Sequence, residues 1–134
     1  MVEVVVGALV RDGRVVLGHR PPDKHAYPDV WDLPGGGVEA GETERVALER
    51  ELSEELGVRI ALTSTSALCR VSVSSPEGPV LLSACLVREW EGTPVNAAPE
   101  EHTAIGWFGP DDLPPLVHPD VRAAVISALQ DVEA

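Results

Sequence analysis

The chain has 134 residues, 44% of them hydrophobic, enough for one domain to bury a core without staples. Its 22 acidic residues against 10 basic give a net charge of −12. That balance argues against a nucleic-acid polymer as partner and would repel a free polyphosphate unless a cation intervened.

No apolar run approaches the ~18 residues that span a membrane. Cys69 and Cys85 sit in strand-like stretches with no signal peptide ahead of them. They read as reduced thiols in a cytoplasmic protein.

Taken in order, residues 2–11 form a β-rich run, and Asp12-Gly13 is a hairpin signal leading into a second strand over 15–20. Residues 21–29 are a polar loop with Lys24, His25 and Tyr27. A short strand, Trp31-Asp32-Leu33, enters the loop Pro34-Gly35-Gly36-Gly37, whose glycines let backbone approach a ligand closely. Thr43 is placed to cap a helix and Gly57 to stop it.

Strands are expected over 58–62 and 67–73, then a turn over 74–79 and a central strand over 80–87 that is apolar on both faces. A short strand follows over 104–108 and a turn over 109–113. Pro119 opens a last amphipathic helix with Val121, Ala124, Val125, Ala128, Leu129 and Val132 on one face. Strands, helix, strands, helix imply an α/β fold, a mixed sheet between two helices, in a single domain over 1–134.

The chemistry concentrates on the first helix. At about 100° per residue, Glu51, Glu54 and Glu55 share one face, beside an apolar stripe of Leu48, Leu52 and Leu56. Three carboxylates so close repel one another unless a cation or protons intervene. Oxygen ligands suit Mg²⁺ or Mn²⁺ better than zinc.

From Gly36 to Val58 the sequence resembles the Nudix hydrolase signature, G-x5-E-x7-R-E-U-x-E-E-x-G-U with U aliphatic. Gly36, Glu42, Arg50, Glu51, Leu52, Glu54, Glu55, Gly57 and Val58 all stand in register. The resemblance implies an α/β/α sandwich and Mg²⁺-dependent hydrolysis of a nucleoside diphosphate linked to another group, with Mn²⁺ able to substitute. It makes Glu51, Glu54 and Glu55 metal ligands, with the Gly35 carbonyl as an additional one. Arg50 orients a glutamate, and Glu42 is structural or outer-shell.

Glu101 stands six residues before Trp107, where MutT-like members carry a metal-binding or catalytic glutamate; Glu100 beside it reads as a solvated loop residue. The general base stays open among Glu101, Glu54 and Glu51. His102 reads as a structural or solvent histidine. Arg20 is the candidate phosphate contact, Trp31 and Trp107 are candidates for stacking on a base, and His118 stands where MutT-like proteins place a base-reading residue.

Length and the spacing from Glu101 to Trp107 favour a MutT-like nucleoside triphosphate pyrophosphatase acting on a small nucleotide. ADP-ribose or a nucleotide sugar is the alternative substrate. A nucleotide-binding Nudix domain without catalysis is the alternative class. Dimers are common in the family, so a homodimer stays open.

Overall fold

The computed structural model describes residues 2–131; Val132, expected on the last helix, lies outside them. The first two strands, β1 (Val2–Arg11) and β2 (Arg14–His19), are joined at Asp12 and Gly13. Both turn residues have positive φ, 55° and 74°, the combination that matches the twist of paired strands. Next come β3 (Trp31–Asp32), β4 (Gly35–Gly37) and α1 (Glu44–Leu56). They are followed by β5 (Arg59–Ile60), β6 (Thr65–Ser75), β7 (Gly78–Val87), β8 (Trp90–Glu91), β9 (Ala104–Phe108) and α2 (Pro119–Asp131).

The sheet is mixed. Its order is β3-β2-β1-β7-β6, with β4 beside β1 and β9 beside β2. β1 and β7 run parallel, and the other pairs are antiparallel. Alternation along β1 divides the core in two. Val5 and Leu9 pack with Val16 under Leu48, Leu52 and Leu56 of α1. Val6, Ala8 and Val10 join Leu82, Ala84 and Leu86 of β7 against Val121, Val125 and Leu129 of α2. The sheet therefore lies between two helices, the α/β/α sandwich expected from the order of elements.

The Gly-rich segment departs from expectation. It is a strand, not a loop: Gly35, Gly36 and Gly37 pair with Val6, Val5 and Val4. β1 holds β2 only at Val10 and Arg11, so the two strands diverge toward the start of β1. The chain bridges that gap, running from β3 on the edge of β2 to β4 on the edge of β1. A bond from the Gly7 amide to the Pro34 carbonyl, 2.9 Å, ties the crossing point.

Other differences are local. The strand expected over 58–62 is only two residues long, because a 3-10 turn at Leu62–Ser64 redirects the chain. β6 is longer than expected and carries a bulge between Ala67 and Cys69, which lets Leu68 and Cys69 both pack on the α2 side. Cys85 packs on the α1 side, so the two thiols are separated by the sheet and both are free. No helix among the described residues is long and apolar enough to cross a membrane.

Gly7 lies where α1 crosses the sheet: a Cβ there would stand 3.0 Å from Leu52 Cδ1 and 3.1 Å from Leu48 Cδ1. Leu52 is fully buried in this contact. Leu52→Ala should cost about 2–5 kcal/mol of unfolding free energy, the range for truncating a buried leucine. Urea denaturation measures it, and a loss under about 1 kcal/mol would mean that α1 is not locked against β1.

Candidate active site

Two caps define the helix that carries the carboxylates. Thr43 Oγ1 accepts from the Val46 amide at 3.2 Å, and Gly57, at φ 70°, donates its amide to the Ser53 carbonyl. With the apolar stripe pressed on the sheet, Glu51 and Glu55 come to the edge facing β4.

The glycines of β4 make room for them. A Cβ on Gly35 would stand 2.2 Å from the Val5 carbonyl oxygen, and its φ of 148° is closed to other residues. A Cβ on Gly36 would fall 2.6–2.7 Å from the Glu51 carboxyl, which occupies that space. Gly37 turns its carbonyl to Arg50 Nη2, 3.1 Å away, and the Gly35 amide reaches Glu55 Oε1 at 3.4 Å. In an antiparallel ladder a residue between bonded pairs turns its N–H and C=O to the same side. The Gly35 amide is thereby the backbone group that β4 turns to Glu55.

Arg50 ties the cluster together. It donates to both oxygens of Glu42, at 2.7 and 2.9 Å, and to Glu51 Oε1 at 2.9 Å. The Arg50 bond, then the Glu39 amide, hold the Glu42 carboxyl down at about 2, so Glu42 is a fixed counter-charge. Glu51 moves the other way, up to about 7, first because it is buried and then because it shares a hydrogen bond with the Glu55 carboxyl. Glu54 is 59% exposed at the rim, 3.5 Å from Arg50 Nη1.

Glu55 is 4% exposed, and its Oε1 lies 2.7 Å from His102 Nε2. Read from sequence as structural or solvent-exposed, His102 is buried against one of the box carboxylates. Its position next to Glu101 was the only signal, and spacing alone could not show the contact.

Glu101 reaches the same cleft, which also takes in Gly35, Gly36, Glu54 and Glu100. Lys24 Nζ holds the Glu101 carboxylate at 2.7 Å and keeps it below the usual carboxylate range. Among the described residues, no three acidic, His or Cys side chains converge on a metal-ligand arrangement as they stand. An arrangement that included Glu101 and Glu54 would need Glu101 to leave Lys24 and Glu54 to swing in from the rim. The donors nevertheless fit a hard cation: they are all oxygen, and the raised pKa of Glu51 marks a place where added positive charge is favoured.

A second cavity of ~310 Å³ adjoins the cleft and shares Gly35, Gly36 and Glu101 with it. Val4, Val6, Val80 and Leu82 form its apolar wall; Tyr27, Asp32 and His118 are among its polar groups. His118 meets Tyr27 edge to face at 5.5 Å, and burial lowers its pKa. Arg20 lines this cavity, but its guanidinium already donates to the Ala26 and Tyr27 carbonyls at 2.8 and 2.9 Å.

Trp31 and Trp107 line neither cavity. Trp31 packs edge-on between His19 and Phe108, while the next residue, Asp32, faces the cavity. Trp107 stacks on Trp90, whose ring also carries the Arg11 guanidinium at 3.8 Å.

The NUDIX domain family model matches residues 1–129. The chain belongs to the Nudix hydrolases. Its fold is similar to the crystal structure of the MutT NUDIX hydrolase from Burkholderia pseudomallei, with TM-score 0.82 and 32% identity over 92% of this chain and 95% of that one. CTP pyrophosphohydrolase of Escherichia coli (strain K12) is 35% identical over 113 residues, 84% of this chain and 78% of that protein. Nucleoside triphosphatase NudI of Enterobacter sp. (strain 638) is 39% identical over a shorter stretch, 46% of this chain and 43% of its own length. This Nudix hydrolase is of the MutT type.

Asp32 had no place in the sequence reading of the site. Burial raises its carboxyl from 3.8 to about 6, and the Leu33 and Val117 amides and Arg20 offset only part of that. Below pH ~4 it is protonated whether the chain is folded or not. Between about 4 and 6 the unfolded chain gives up the proton first, so folded stability falls as pH rises and then levels off. Asp32→Asn should be more stable than the parent at pH 7, by on the order of 1–2 kcal/mol, with the difference gone near pH 4. Urea titrations at the two pH values test it; a constant difference would mean that Asp32 titrates normally.

Proposed function

We propose that this Nudix hydrolase cleaves nucleoside triphosphates to the monophosphate and pyrophosphate. Glu51, Glu54, Glu55, the Gly35 carbonyl and Glu101 hold Mg²⁺, with Mn²⁺ able to substitute. The observation that supports this best is the junction of the two cavities at Gly35, Gly36 and Glu101. The apolar cavity is at the small end of the ligand-pocket range, ~300–1,000 Å³, and suits one nucleoside. A nucleoside seated beside His118, Tyr27 and Asp32 would lead its phosphates over the two glycines to the carboxylates. The names of two similar proteins, a CTP pyrophosphohydrolase and a nucleoside triphosphatase, agree with that substrate class.

A divalent cation in the cleft supplies charge neutralisation on the phosphoryl oxygens and a water of lowered pKa. The chain's own groups do the rest. Arg50 orients Glu51 and does not touch substrate. Lys24 exchanges Glu101 for a phosphate oxygen, and the freed Glu101 carboxylate orients the attacking water. Arg20 contributes positive potential at the cavity wall while its hydrogen bonds hold the 21–29 loop. Trp31 and Trp107 have no part in base stacking.

Phosphorus NMR of reactions with nucleoside triphosphates and with ADP-ribose tests the reading. Triphosphates, CTP included, should give pyrophosphate with Mg²⁺ and nothing in excess chelator. Glu101→Gln should lower kcat roughly 10²-fold or more with KM little changed, as expected for an interaction made mainly in the transition state. Glu100→Gln should behave like the parent. Orthophosphate as the first product, faster turnover of ADP-ribose, or equal small effects at the two glutamates would contradict it.

A further inference from the structure

His102 is held from every side. A Cβ on Gly18 would lie 2.4 Å from its Nδ1, so the ring lies directly against that glycine. Its amide donates to the Ala98 carbonyl at 3.1 Å, and its carbonyl accepts from Asn96 Nδ2 at 2.9 Å. The residue is 7% exposed. Nε2 meets Glu55 Oε1 at 2.7 Å, while Nδ1 is buried with no hydrogen-bond partner among the described residues.

The proton position follows. A carboxylate accepts, so Nε2 carries the hydrogen and Nδ1 is a bare acceptor. That is the less costly choice, because an orphaned buried N–H is rarer and dearer than an under-satisfied acceptor. Even so, an unpaired ring nitrogen in a buried site is unfavourable. Packing alone would favour an apolar residue against Gly18. The compensating gain has to come through Glu55.

The pattern of bonds on Glu55 shows what that gain is. Both N–H groups that reach its carboxylate, His102 Nε2–H and the Gly35 amide, fall on Oε1. With both donors on Oε1, the rotation of the Glu55 carboxylate is fixed where it lines the cleft beside Glu51. The same residue anchors the turn that brings Glu101 in, since the Glu101 and His102 amides both donate to the Ala98 carbonyl, at 2.8 and 3.1 Å.

We propose that His102 is a positioning residue for the cation site. Its ring fixes the Glu55 carboxylate at the cleft wall through Oε1, and its main chain fixes the approach of Glu101. The inference rests on the reading of this cleft as a cation site. Groups that hold a metal-binding side chain in this way, without touching the metal, typically change affinity 10–100-fold when removed.

Mn²⁺ binding without substrate, followed by electron paramagnetic resonance of the free ion, tests it directly. His102→Gln retains an N–H that can reach Glu55 and should bind Mn²⁺ within about threefold of the parent, whereas His102→Leu should bind ~10–100-fold more weakly. Thermal melts of the metal-free variants accompany the titration. Equal affinity in the Leu variant, or affinity losses in both variants that merely track lost thermal stability, would overturn the proposal.

The parent provides a second measurement should the Leu variant fail to fold. The ring ¹⁵N signals and the Nε2–H resonance of His102 should shift in step with Mg²⁺ binding. Ring signals unmoved at saturating Mg²⁺ would overturn the positioning role alone. A parent that binds neither Mn²⁺ nor Mg²⁺ would overturn the cation reading beneath it.

Discussion

Two carboxylates placed side by side at a buried helix edge are the constraint that the rest of this structure answers. Burial first, and then the contact with Glu55, raise the Glu51 carboxyl to about 7. Like charges at that separation oppose folding unless a proton or a cation lies between them. The surroundings offset part of the cost with directed donors: Arg50 on Glu51, and His102 and the Gly35 amide on Glu55. Arg50 is itself held by Glu42 and the Gly37 carbonyl, so its position does not depend on a ligand. The protein thus fixes the orientation of the carboxylates while compensating their charge only in part, as a cation site requires.

The sheet supplies the geometry. Because β1 and β2 diverge, residues 31–37 cross between them, and the crossing strand is made of glycine where it meets α1. Gly36 leaves the volume that the Glu51 carboxyl fills, and Gly35 adopts a backbone angle open only to glycine. The same crossing borders the apolar cavity on its other side, so the glycines form the wall common to both spaces. Nucleoside recognition and phosphate chemistry can therefore meet across two residues without a long loop. The 21–29 loop closes over this junction through Lys24, which links it to Glu101.

How much of this could be read from the sequence depended on the range of the interactions involved. The helix, its Thr43 cap and its Gly57 stop are set within a few residues, and they stand as read. The sheet between two helices followed from the order of strands and helices along the chain. The pairing of Gly35–Gly37 with β1 did not, because a run of glycines carries no strand pattern and the pairing depends on distant Val4–Val6. His102 and Asp32 escaped for a related reason: each owes its character to burial created by remote elements. The tryptophans lie outside both cavities, Trp31 against Phe108 and Trp107 against Trp90, contacts that nearness in sequence to a site-bearing segment does not reveal. The charge of Arg20 was legible, but not the carbonyls of Ala26 and Tyr27 that already occupy it.

The central claim is that this cleft is held in repulsion for a divalent cation to relieve. Thermal melting of the metal-free protein at neutral pH across a Mg²⁺ titration addresses it most directly. Binding to the folded state alone adds about 2.7 kcal/mol once free metal reaches a hundredfold excess over its dissociation constant. The parent should therefore melt several degrees higher as Mg²⁺ rises. A Glu51→Gln/Glu55→Gln double variant should start above the metal-free parent and stay there, indifferent to Mg²⁺. A parent melting temperature flat across the titration, or a double variant that responds to Mg²⁺ as the parent does, would contradict the account.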